Sequence, residues 1–173
     1  MSRQGLGEAK RAWGRGYEGL DEADVDRRVA GFTALVRGIA EKGAVSAAEF
    51  GRATGLDASH ASDIFSGLAM FGLERDDRGQ VVGAALTTNA TPHRVRFDEK
   101  ELYAWCALDT LFIPGLVGRR AIIESTCPTS KDSIRLTVAP GGVEAVDPGA
   151  TAISVVLPGA GGAPATTGPA SPT

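Results

Sequence analysis

The chain has 173 residues, 43% of them apolar, and its 18 basic and 21 acidic side chains give a net charge of −3. That apolar share supports a folded core and excludes a wholly disordered chain. The slightly acidic balance gives no electrostatic case for nucleic acid or an anionic membrane. Cys106 and Cys127 are the only cysteines, too few for a disulfide framework, and they read as free thiols of a reducing cytosol. No stretch approaches the ~20 apolar residues that span a bilayer, and the first thirty residues lack an apolar signal core. The expected location is the cytoplasm.

In chain order, residues 1–20 are rich in Gly, Arg and Glu without a period and are expected to form a flexible arm. From Asp21 a helical period begins, with Val25, Val29, Phe32, Val36 and Ile39 on one stripe and Gly43 as its stop. Ser46 and Glu49 form a capping box for a second helix that Gly55 closes. Asp57 caps a third helix, whose stripe is Ala61, Ile64, Leu68 and Phe71. A hairpin follows, Leu73–Arg75 and Gln80–Ala84 around Asp76-Asp77-Arg78-Gly79. Three helices and a hairpin over residues 21–86 outline a winged-helix-like module.

Residues 87–157 are expected to form a second, α/β unit. Arg94–Phe97 alternates as a half-buried strand, with Val95 and Phe97 inward. Asp98 and Glu101 suggest another capping box, predicting a helix from about Glu99 that carries Leu102, Cys106 and Asp109 on one face and stops near Ile113, before Pro114. Ala121–Ser125 and the alternating Ile134, Leu136 and Val138 read as strands, Pro140-Gly141-Gly142 as a turn, and Ala152–Leu157 as a strand buried on both faces. Residues 158–173 contain only Pro, Gly, Ala, Thr and Ser and are expected to be a disordered tail. The fold class is therefore α+β: a three-helix winged-helix-like module, then a mixed or antiparallel sheet domain with an active-site helix.

A DNA-reading module needs outward Arg, Lys, Asn or Gln and positive charge for phosphates. The third helix instead offers Ser59, His60, Ser62, Asp63 and Ser66, and the wing tip offers Asp76 and Asp77 against Arg78. A packing role for residues 21–86 is favoured over a DNA-binding regulator. His60, as a surface or cap-region residue, and His93 are isolated, so no zinc site or other cofactor is expected.

Cys106 and Asp109 are the candidate site. Three positions apart on a helix, their β-carbons would lie roughly 5–6 Å apart on one face. Spacing alone leaves a packing role for the cysteine open. A carboxylate on an apolar background, however, needs a partner or a function, and burial would keep it protonated, as a general acid requires.

The stretch from Leu102 to Leu111, with Phe112-Ile113-Pro114 and Gly118, resembles the active-site helix of organomercurial (alkylmercury) lyases. The likeness continues through Ser125-Thr126-Cys127, Ile134–Pro140, Val143–Pro148 and Ile153–Pro158, and is strong over about residues 97–158. It implies protonolytic cleavage of a carbon–mercury bond, releasing a hydrocarbon and Hg(II). Cys106 matches the thiolate that takes mercury, Asp109 the proton donor, and Cys127 a family cysteine that looks structural. The implied partners are organomercury compounds, Hg(II), and the small or protein thiols that accept it. The resemblance also implies a second catalytic cysteine beyond the last strand, where this sequence has none. A truncated relative or a shifted reading frame after Pro158, with impaired turnover, is therefore expected. A non-catalytic binder of mercury or another soft metal is the alternative from a different class.

Overall fold

The computed structural model describes residues 22–68 and 72–153. Helix α1 spans Glu22–Lys42. Its stripe buries Val25, Leu35, Val36 and Ile39, and Gly43 ends it at φ 89°, a conformation that favours glycine. Helix α2, Ala47–Thr54, starts on the reciprocal cap read from the sequence, Ser46 with Glu49, and closes on left-handed Gly55. Lys42 and the Ser46 amide and hydroxyl all bond the Glu49 carboxylate. The Ser46 backbone bond, the largest influence, and these side chains lower its pKa to about 2. Helix α3, Ala58–Gly67, starts on Asp57, whose side chain accepts from the Ser59 and His60 amides. Ala61, Phe65 and Leu68 are buried beneath it. Phe71, the last residue of the expected stripe, lies outside the described residues.

The hairpin is formed by β1, Glu74–Arg75, and β2, Val81–Ala84. Asp76 builds its turn: one carboxylate oxygen accepts from the amides of Arg78, at 3.0 Å, and Gln80, at 2.8 Å. It is thus a turn-former more than a bare acidic tip. A further short strand, β3 (Leu86–Thr87), was not legible in the sequence. The remaining strands are β4 (His93–Phe97), β5 (Lys100–Ala104), β6 (Ala121–Thr126), β7 (Ser133–Ala139) and β8 (Gly142–Asp147). Among the described residues all pair antiparallel in one sheet of eight strands, ordered β1-β2-β3-β5-β4-β6-β7-β8.

Alternation sorts the central strands. Leu102, Val95, Ile123, Leu136 and Val146 pair in one row across β5, β4, β6, β7 and β8, and the first four are buried. The next row outward places Arg94 between Tyr103 and Glu124 on the opposite, solvated face. There Arg94 pairs with Glu101 and Glu124, and Arg135 with Glu124. Such exposed pairs contribute little to stability. Helix α1 packs on β2 and β3, helix α4 (Asp109–Val117) packs on β7 and β8, and the two helices touch. They share the apolar face. Arg37 of α1 ties them by donating to the Leu116 carbonyl at 2.7 Å.

Two expectations fail around the site. The helix predicted from Glu99 is a strand up to Ala104, because β5 turns straight back on β4 at Asp98-Glu99 and pairs with it from Phe97↔Lys100 to His93↔Ala104. Cross-strand pairing outweighs the local capping signal. Helix α4 then runs through Pro114 instead of stopping before it, and ends on Gly118, whose amide, with that of Arg119, bonds the Pro114 carbonyl. Of the strand expected at 152–157, Ala152 and Ile153 have no strand structure. The rest of it, the arm 1–20 and the tail 158–173 lie outside the described residues.

Candidate functional site

Cys106 and Asp109 stand in the connection between β5 and α4. At the last row of the central sheet, Ala104 faces His93, and His93 faces Ser125 on its other side. The Ala104 carbonyl is held by the Thr91 hydroxyl at 2.6 Å, and the Trp105 amide donates to the Ala85 carbonyl at 2.9 Å. Beyond these anchors the chain leaves the sheet through Trp105–Leu108 and enters α4 at Asp109. Cys106 is thus in a turn and not on a helix, which corrects the sequence reading. The two residues are still brought together, by a direct bond.

That bond runs from the Cys106 backbone N–H to Asp109 Oδ2, 2.9 Å. A carboxylate reaching back three residues to an amide is the acidic half of a capping box. The Thr110 hydroxyl, almost fully buried, adds a 2.6 Å bond to the Ala107 carbonyl, and the Leu111 amide one of 3.1 Å to Leu108. The turn is pinned from both ends. Thr110 and Thr91 hold it without being distinguishable in the sequence from other threonines.

Proton affinities follow from this placement. Asp109 is half-buried, and desolvation raises its pKa against the lowering pull of its bonds to the Cys106 side chain and amide. Its place in the first turn of α4 also favours the anion, yet burial prevails. Cys106 is exposed at the surface, but partial desolvation of its sulfur raises the thiol pKa. A bond from the Asp109 backbone lowers that pKa, while the Asp109 charge and its side-chain bond raise it. The arrangement is an accessible sulfur beside an acid biased toward its protonated form. Trp105 Nε1 is buried with no hydrogen-bond partner among the described residues.

The other candidates fall elsewhere. Cys127 is half-buried in the β6–β7 loop, its amide donating to Asp132 and its carbonyl accepting from Lys131. Bonds from the Ser130 side chain, then from the Ser130 and Thr129 backbone, lower its thiol pKa. Both cysteines are free. His60 is a cap residue as read, its Nδ1 2.5 Å from Asp57, which raises its pKa. His93 is not isolated: its Nδ1 lies 3.0 Å from Ser125 Oγ on the core face, and burial lowers its pKa. Among the described residues no group of three or more His, Cys, Asp or Glu is placed to hold a metal ion. None of their helices is long and apolar enough to cross a membrane.

Comparison with known proteins supports the resemblance carried by this segment. Residues 86–168 match the family model described as alkylmercury lyase, a match that begins at β3 and extends past Pro158. An alkylmercury lyase of Staphylococcus epidermidis is 40% identical over 127 residues, covering 73% of this chain and 58% of the relative. Those of Bacillus cereus and Pseudomonas putida are 48% identical over 86 residues and 36% over 129, covering 39% and 60% of their lengths. The chain thus spans about 39–60% of the length of these curated relatives. A solved structure described as the mercury-bound form of MerB2 superposes with a TM-score of 0.63 at 22% identity, over 83% of this chain and 68% of that one. It supports the α+β fold.

Proposed function

We propose that this chain, whose residues 86–168 fall within the alkylmercury lyase family, cleaves carbon–mercury bonds at Cys106 and Asp109. The observation that carries the reading is the acid bonded to the thiol residue's own amide and biased toward protonation.

Cys106 sulfur attacks the mercury of R–Hg–X. X leaves with its electron pair and takes the thiol proton as HX, while Asp109 keeps its own proton. A soft sulfur donor suits a soft metal, and a second sulfur, from a low-molecular-weight thiol, pushes further electron density toward the mercury–carbon bond. The carbon then takes the Asp109 proton and keeps the bonding pair, leaving as R–H. Mercury remains Hg(II) throughout, so no oxidant or reductant is needed. Excess thiol removes Hg(II) from Cys106, its protons restore Asp109 and the Cys106 thiol, and the cycle closes.

Residues 21–86 serve in this reading as a packed module. The exposure of Ser59, His60, Ser62, Asp63 and Ser66 on α3 argues against a phosphate-facing surface. Their order of three helices and a hairpin supports the winged-helix-like description, with residues 87–157 as the lyase-like unit. Free thiols support a cytoplasmic site of action.

The test is benzene release from a phenylmercury salt in excess thiol, comparing the chain with Cys106→Ala and Asp109→Ala. The expected loss is about 10²-fold or more for each variant. Equal rates for all three would remove the proposal. Mercury uptake lost with Cys106→Ala, but no benzene from any form, would instead favour a thiol binder.

A further inference from the structure

We infer that Leu108 is the residue that selects the organic group, favouring mercurials whose carbon substituent is apolar and larger than methyl. The inference rests on the carbon–mercury chemistry proposed above.

Leu108 is 44% exposed, one of three large apolar side chains so exposed among the described residues. The other two, Val143 and Ile153, lie in or just past the last strand. Leu108 lies in the four-residue stretch that begins with the thiol and ends with the acid. It also occupies the N-cap of α4 and makes no side-chain hydrogen bond there. Helices α2 and α3 start instead on Ser46 and Asp57, each bonding backbone amides. Two ordinary preferences are therefore unmet at one position. The N-cap position itself carries no polar side chain, and a large apolar leucine is left substantially in water. Local rules broken together are expected at functional or strained positions.

What the position can do follows from the reaction. Mercury on Cys106 must hold its carbon within reach of Asp109, so the organic group lies along the turn that joins them. Leu108 is the large apolar side chain that this turn exposes. A phenyl or longer alkyl group laid on it removes apolar surface of both partners from water. A methyl group covers far less of it.

The test measures how phenylmercury and methylmercury partition between Cys106 and a fixed excess of a competing monothiol in the slow-releasing Asp109→Asn chain, alone and combined with Leu108→Asn, Leu108→Ala or Leu108→Met. Thermal unfolding is followed in parallel. Phenylmercury retention is expected to fall about 10-fold in Leu108→Asn and Leu108→Ala, the scale of a lost apolar contact in a site. Methylmercury retention falls by a smaller factor, and Leu108→Met restores most of the phenyl preference. A phenyl-to-methyl ratio unchanged in a folded Leu108→Asn or Leu108→Ala overturns the assignment. Retention of neither compound by the Asp109→Asn chain overturns the underlying chemistry, and the assignment with it.

Discussion

Two aspartates open helices in this protein, and their proton affinities move in opposite directions. Asp57 starts α3 in open solvent, where the Ser59 side chain, the His60 amide and the His60 ring hold its carboxyl well below the usual carboxylate range. Asp109 starts α4 half-buried, and desolvation lifts its pKa although it too accepts a backbone N–H. Both use the same local chemistry, a side-chain oxygen satisfying a free amide near a helix start. Burial decides whether that oxygen serves as a permanent charge or as a place to keep a proton. Under the proposed reading the first carboxyl is a stabilising cap and the second a proton donor.

The largest expected effect breaks the pair at the sulfur. Cys106→Ser should abolish retention of phenylmercury in excess thiol and reduce benzene release by about 10³-fold or more, because a hydroxyl is a hard ligand. Next comes the acid. Asp109→Asn keeps an oxygen that can accept from the Cys106 amide but carries no transferable proton, so retention should survive while release falls by about 10²–10⁴-fold.

The same substitution should raise thermal stability at neutral pH. A carboxyl whose folded pKa lies above its unfolded value contributes stability below the unfolded value, and loses it as pH rises through the folded one. The melting-temperature gain of Asp109→Asn should therefore shrink as pH falls through the folded value and be gone below about 4, the ordinary value for Asp.

Asp57→Ala belongs to the other arm of the comparison. It should lower the melting temperature by a few degrees and leave benzene release unchanged. A change in release on this substitution would deny the separation of cap from site. The smallest effect is on its partner His60, whose pKa Asp57 raises. Its share of stability is present below its unfolded value of about 6.5 and is lost as pH rises through the folded value, a slope that Asp57→Ala should remove.

Much of the helical half was legible because its signals are local. Ser46 with Glu49, Asp57, Gly43 and Gly55 each mark a helix end by the conformation or bond that end requires. The strands at Arg94–Phe97, Ala121–Ser125 and Ile134–Val138 were legible through alternation that burial bears out. The site's own connection misled. Asp98 and Glu101 imitate a capping box, and the spacing of Leu102, Cys106 and Asp109 imitates a helix face. The competing period-two signal was present, with Leu102 and Ala104 buried and Glu101 exposed. Pairing with Arg94–Phe97 decides between them, and sequence spacing alone does not report that pairing. Strand β8 escaped notice because most of Gly142–Asp147 faces solvent and shows no apolar alternation. Pro114 is carried inside α4 although it offers no amide to the Thr110 carbonyl one turn earlier. The exposure of Leu108 had no signal in the sequence. It depends on where the turn leaves the sheet.

The most direct test of the paired thiol and acid is intact-protein mass spectrometry of Asp109→Asn after one equivalent of phenylmercury, with benzene in the headspace measured beside it. The account predicts a phenylmercury adduct that persists on Cys106 with little benzene, where the unaltered chain releases benzene and retains only Hg(II). Benzene from Asp109→Asn at the unaltered rate, or an adduct that survives Cys106→Ser, would contradict it.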